Sequence, residues 1–223
     1  MRKLYSILLI TLLVCVVGAV VFLILSPDRI PVHFDFSGEM DRIGSKYEFL
    51  VFPAIETGIA LFFLLMAKVE QKKGENSNER VIMLVGICVT VLLALVGFFF
   101  MIKAIRYDSE TPLKMNYDDT NKLIGVSIGA LLVVLGNIMP KARRSSLFGI
   151  RTTWSMYNDS VWQKSQRFGG IASVIVGFIL IILSLILPGS WNNVMMLVVI
   201  TILVILCAGA SYFYYSAERK AGL

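Results

Sequence analysis

PKARRSSLFGIRTTWSMYNDSVWQKSQRFGG, residues 140–170, carries six Lys and Arg residues and two Trp, and it lies between two apolar runs, 123–139 and 171–187. An apolar run of roughly 17–25 residues is long enough to cross the hydrocarbon of a bilayer. The stretch therefore reads as a polar loop between two membrane helices. Outward from it, four more such runs follow at 4–25, 49–67, 81–102 and 194–215. Lipid offers the backbone no hydrogen-bond partner, so each run is expected to be an α-helix. The predicted fold is an all-α membrane protein, a bundle of six transmembrane helices. Composition agrees: 57% of the 223 residues are hydrophobic, against roughly 45–50% in soluble domains, and the mean hydropathy is +0.78.

The net charge of +6 invites a nucleic-acid reading, but the cations sit in short pieces between apolar runs and not on one soluble face. No direct nucleic-acid partner is expected. The N-terminus, second loop, fourth loop and C-terminus hold two, four, six and two Lys and Arg; the first, third and fifth loops hold three, four and none. By the positive-inside bias both termini are cytoplasmic. The chain divides into an N-terminal membrane half, 1–122, with an outer loop, and a C-terminal half, 123–223, with the basic inner loop. Cys15, Cys88 and Cys207 all fall inside apolar runs, as packing residues do. Met1-Arg2-Lys3 ahead of a long run without a small-residue cleavage site predicts an uncleaved first span.

The first loop has its own texture. Ile30, Val32, Phe34 and Phe36 alternate with Pro31, His33 and Asp35, the period of a strand with one apolar face. Ser37-Gly38-Glu39 and Gly44-Ser45 read as turns, which predicts a short extended segment or hairpin on the outer mouth of the bundle. His33 is the one histidine, near Asp35, Glu39 and Asp41, and that spacing matches no metal-ligand pattern, so no metal or cofactor is expected. Glu56 is the one clear acid inside an apolar run. Placing it there is costly unless it faces a partner or a wet cavity, which leaves a binding or proton-accepting role and a structural hydrogen bond both open. Asn137 reads as a polar link between helices. Gly125 and Gly129 in the fourth span, and Gly169, Ser173 and Gly177 in the fifth, form stripes for close backbone approach.

In the basic loop, Lys141, Arg143 and Arg144 stand beneath the fourth span, where anionic lipid attracts cations. Asn158 before Asp159 reads as an N-cap with an acidic first turn. Val161, Trp162, Ser165 and Phe168 then share a helical face, which predicts an interfacial amphipathic helix leading into the fifth span. No hydrolase elbow, zinc-protease motif, phosphate-binding loop or dinucleotide fingerprint is present. The sequence is not read as an enzyme.

Two stretches together resemble a known family. Ile30-Pro31-Val32-His33-Phe34-Asp35, with Gly38, Asp41 and Gly44-Ser45-Lys46, resembles the signature of a small membrane domain of unknown function. Arg143-Arg144-Ser145-Ser146-Leu147-Phe148-Gly149-Ile150-Arg151-Thr152, with Trp154, Trp162 and Arg167-Phe168-Gly169-Gly170, resembles that of the SdpI family of bacterial immunity proteins. Thr153 and Ser145 stand where members commonly carry Pro and Asn. The resemblance implies protection of the cell against a secreted toxic peptide. It also implies a second role, as a receptor that holds a cytoplasmic autorepressor at the membrane. On that mapping, His33, Phe34, Asp35, Asp41 and Lys46 face the toxin. Arg143, Arg144, Phe148, Arg151, Trp154, Trp162 and Arg167 face the repressor, with membrane lipids around both. Two other readings stay open from the residues: a proton-linked transporter or exporter using Glu56, and an envelope-stress sensor.

Overall fold

The computed structural model describes residues 1–34, 40–74, 77–106, 117–144 and 148–221, with backbone alone at 34, 40, 41, 117–119 and 190. Among the described residues, six helices are long and apolar enough to span a membrane: α1 (Arg2–Leu25), α2 (Val51–Gln71), α3 (Glu79–Ile105), α4 (Tyr117–Ile138), α5 (Asp159–Ile186) and α6 (Gly189–Lys220). The chain is an all-α multi-pass membrane protein. A two-stranded antiparallel hairpin, β1 (Arg29–Phe34) and β2 (Met40–Ser45), follows α1. A short 3-10 turn, Lys46–Leu50, then leads into α2.

Helices α1, α2 and α3 pack together, α4, α5 and α6 pack together, and α3 lies against α4 to join the two groups. Large aliphatic side chains of α1 and α6, such as Leu13, Ile24, Leu197 and Val204, stand more than half exposed. In water such faces would associate; in a bilayer they meet lipid tails as apolar as themselves. Inside, apolar clusters such as Phe22, Ile30, Phe49 and Met101 are joined by buried small and polar residues, among them Ser165, Ser173, Ser184 and Asn192.

The closest helix pair is α4 with α5, and glycine makes it so. A Cβ added at Gly129 would stand 2.7 Å from the Gly177 carbonyl oxygen, and one at Gly136 would stand 2.6 Å from that of Gly170. The predicted stripe is present but shifted in part: Gly170, not Gly169, meets α4, while Gly169 packs on Ile150. Asn137 corrects the expectation of a polar link. It is exposed, because it lies one residue, about 100°, round the helix from Gly136. The polar link is at the other end of α4. There the Asn121 amide donates to the Gly189 carbonyl (3.1 Å), the Asn192 amide donates to the Asn121 carbonyl (2.8 Å), and the Ser184 hydroxyl donates to Asn192 (2.9 Å).

The interfacial helix is also corrected. Asp159 begins one continuous helix, with Asn158 Oδ1 accepting from Val161 N at 2.8 Å as its cap. Val161, Trp162 and Ser165 are fully buried in protein. The apolar face read from their spacing is real, but chain folded back from α4 covers it, so it does not rest on lipid.

Candidate functional site

Two polar structures stand at opposite ends of the bundle. The hairpin caps the ends of α1, α2 and α3. Ile30 is fully buried and joins Ala19, Phe22, Phe49, Met101 and Ala104 in one cluster, with Val32 packed against it. Phe22 stacks on Phe49 (5.1 Å), and Phe49 meets Phe52 edge-on (5.5 Å). The alternation in the sequence therefore seats one face of β1 on an aromatic base. His33 pairs with Arg42 across the ladder and is exposed. The ladder is irregular on both sides of His33, which turns the strand locally, as bulges do.

Below the ladder, Ser45 and Glu48 form a reciprocal capping box, with the Ser45 N–H donating to Glu48 Oε1 (3.1 Å). The other Glu48 oxygen takes Arg42 at 2.8 Å. Gly44 thus lies within β2 and Ser45 caps the turn that follows. Lys46 is not a surface contact. Its ammonium pairs with Asp28 (3.0 Å), reaches the Ser26 carbonyl (3.4 Å) and is 14% exposed, so it latches the base of the hairpin. Asp35 and the expected turn at 37–39 lie outside the described residues, as do the side chains of Phe34 and Asp41.

At the opposite end, the loop between α4 and α5 is folded by side chains that bond its backbone. The Asn78 amide, 2% exposed, donates to the Arg143 carbonyl (3.0 Å) and accepts from the Arg143 N–H (2.8 Å). Gln166 does the same to Ile150, at 2.9 Å in both directions. Each amide acts like one rung of a β-ladder. Ser155, fully buried, donates to the Ile150 carbonyl (2.8 Å) and accepts from Thr152 N (2.9 Å). The Thr152 and Ser211 hydroxyls meet at 2.5 Å, tying the loop to α6. Gly149 has φ +108, and a Cβ there would stand 2.6 Å from Gln166 Oε1, so both backbone and space require glycine.

This geometry sorts the residues singled out in the loop. Trp162 is buried, with its indole N–H donating to the Ala142 carbonyl at 2.9 Å, so it is a strut and not a surface. Phe148 packs on the α3–α4 cluster. The Arg144 guanidinium pairs with Asp159 (2.8 Å) and donates to the Met156 carbonyl (3.2 Å), which makes it a brace. Trp154 lies edge-on to Tyr212 and Tyr157 edge-on to Tyr215. Arg143, Arg151 and Arg167 are exposed. Residues 145–147 of the motif lie outside the described residues.

Sequence reasoning missed Asn78, Gln166 and Ser155 as loop anchors. Asn78 stands at the N-cap position of α3, but its side chain makes no cap bond there and its amide is used on the loop instead. Buried amides beside a glycine-containing loop were the available signal. Glu56, 4% exposed, faces the interior of the first three helices: the Cys15 thiol of α1 is its neighbour, and a Cβ at Gly97 of α3 would stand 3.6 Å from its Oε1.

Each of the two polar structures falls within a segment that matches a known family. Residues 141–210 match the SdpI/YfhL protein family, and residues 9–57 match a domain of unknown function, DUF1648. The immunity protein SdpI of Bacillus subtilis (strain 168) is 24% identical over 159 residues, covering 71% of this chain and 70% of that protein. No solved structure matches.

Proposed function

Because the chain belongs to the SdpI/YfhL family, as a distant homologue of an immunity protein, we propose that it protects its host cell against a secreted, membrane-active toxic peptide, by binding and without catalysis. The observation that carries this reading is the hairpin cap. It offers exposed Ile43 and Tyr47 beside exposed His33 and Arg42, over a base locked by Lys46, Glu48 and the phenylalanine cluster. An amphipathic peptide entering the outer leaflet would meet apolar and polar groups together on a surface that is already ordered, so little ordering cost opposes binding.

The opposite loop suits a cytoplasmic protein partner, for which an autorepressor is the family expectation. Arg151 and Arg167 offer exposed charge on a framework held by Gln166, Asn78 and Trp162. Arg143, Arg144, Phe148, Trp154 and Trp162 then shape the loop more than they contact the partner.

The test is deletion of the gene from its host and challenge with the host's own spent medium. Killing of the deletion strain, reversed by the wild-type gene, is expected. Equal survival of deletion and parent strains would refute protection and leave the stress-sensor reading. In the same strains, Arg151→Ala with Arg167→Ala should abolish induction of the chain's own operon by spent medium while protection stays intact. Joint loss of both, with the protein correctly inserted, would refute separate roles for the two ends.

A further inference from the structure

At the end of the bundle that carries the basic loops, α3 begins beside the point where α4 ends, and a cavity of about 400 Å3 lies between them. Cavities that hold small ligands run from about 300 to 1,000 Å3. Val81 and Leu84 of α3 and Ile138 of α4 form its apolar floor; Arg80, Lys141 and Arg143 form its rim. The rim keeps its charge for two reasons. Glu79, the acid in the first turn of α3, is held towards α1 by the Tyr5 hydroxyl at 3.0 Å. Arg80 and Lys141 are exposed, and among the described residues neither forms an ion pair. The Asn78 clamp meanwhile fixes the Arg143 backbone at the cavity edge, and the start of α3 adds its own partial positive charge.

We propose that this cavity binds the headgroup of an anionic phospholipid of the cytoplasmic leaflet, with the phosphate on the rim cations and the glycerol and first methylenes on the apolar floor. Basic pockets between membrane helices on the cytoplasmic side recognise such headgroups, and each cation near the surface favours binding by about fivefold. A lipid seated there touches both α3 and α4, the helices that join the first three to the last three. It would fasten the two groups together whether or not the chain confers immunity.

The experiment is native mass spectrometry of the purified full-length protein in detergent, titrated with phosphatidylglycerol or with phosphatidylcholine of the same chains. Retention of phosphatidylglycerol in preference to phosphatidylcholine is expected. Arg80→Gln with Lys141→Gln should weaken it about thirtyfold, at about fivefold per cation. Lys68→Gln with Lys72→Gln, which removes two exposed cations elsewhere, should leave it unchanged. Leu84→Trp, which fills the floor and alters no charge, should also weaken it. Equal retention of the two lipids, or equal loss in the two charge variants, would overturn the site. Displacement of phosphatidylglycerol by millimolar inorganic phosphate would overturn the lipid as occupant. The monodisperse elution of each variant in detergent separates lost binding from lost fold.

Discussion

Gln166→Leu isolates the device that shapes the basic loop. Leucine keeps the apolar volume and helix preference of the site but cannot bond Ile150. Two hydrogen bonds of 2.9 Å disappear, each with a net worth of about 0.5–1.5 kcal/mol. The Ile150 carbonyl keeps Ser155 at 2.8 Å, so the heavier loss falls on its N–H. Ile150 is only half-buried, so water recovers part of that loss, and the loop should be weakened by about 2 kcal/mol. At 1.36 kcal/mol per factor of ten, the opened loop becomes about thirtyfold more populated. Trypsin cleavage after Arg151 in inside-out membrane vesicles reads this population, provided the loop opens and closes faster than it is cut. The expected result is a cleavage rate about thirtyfold above wild type, with no change in right-side-out vesicles. A rise of less than about threefold, with the variant folded and inserted, would refute the idea that Gln166 holds the loop.

Gly177→Val places a branched side chain where even an added Cβ would stand 2.6 Å from the Gly129 carbonyl; unfolding in SDS should show a loss of at least about 1–3 kcal/mol from overpacking, whereas Gly58→Val, with open space around it, should cost less. Glu56→Gln keeps a hydrogen-bonding group in the first three-helix interior but removes the proton-accepting charge. Survival against spent medium should persist in that variant, and its loss with normal protein levels would favour the proton-linked transporter. Sidedness is read by an impermeant maleimide in a background without native cysteines. Tyr47→Cys should label in intact cells and Thr153→Cys only after permeabilisation; the reverse pattern would overturn the assignment of the two ends.

Six spans, the hairpin with Ile30 facing inward, the Asn158 cap and the acidic first turn of α5 could all be read from the chain, because periodicity and length in lipid leave the backbone few choices. The roles of individual loop residues could not. The resemblance assigns Lys46, Arg144 and Trp162 to partner-facing surfaces, yet each has a partner distant in sequence: Asp28, Asp159 and the Ala142 carbonyl. Asn137 and Asn192 are equally polar in sequence. Only their angular position on packed helices sends one outward and buries the other.

What the sequence determined by itself is the set of membrane helices and the location of the polar segments, because the cost of leaving backbone groups unpaired in hydrocarbon is paid locally, residue by residue. The tertiary structure decided which polar side chains are free to meet a partner. A buried Asn, Gln or Trp is satisfied by whichever backbone group the folded chain brings within about 3 Å, and for Asn78 that group lies sixty-five residues away.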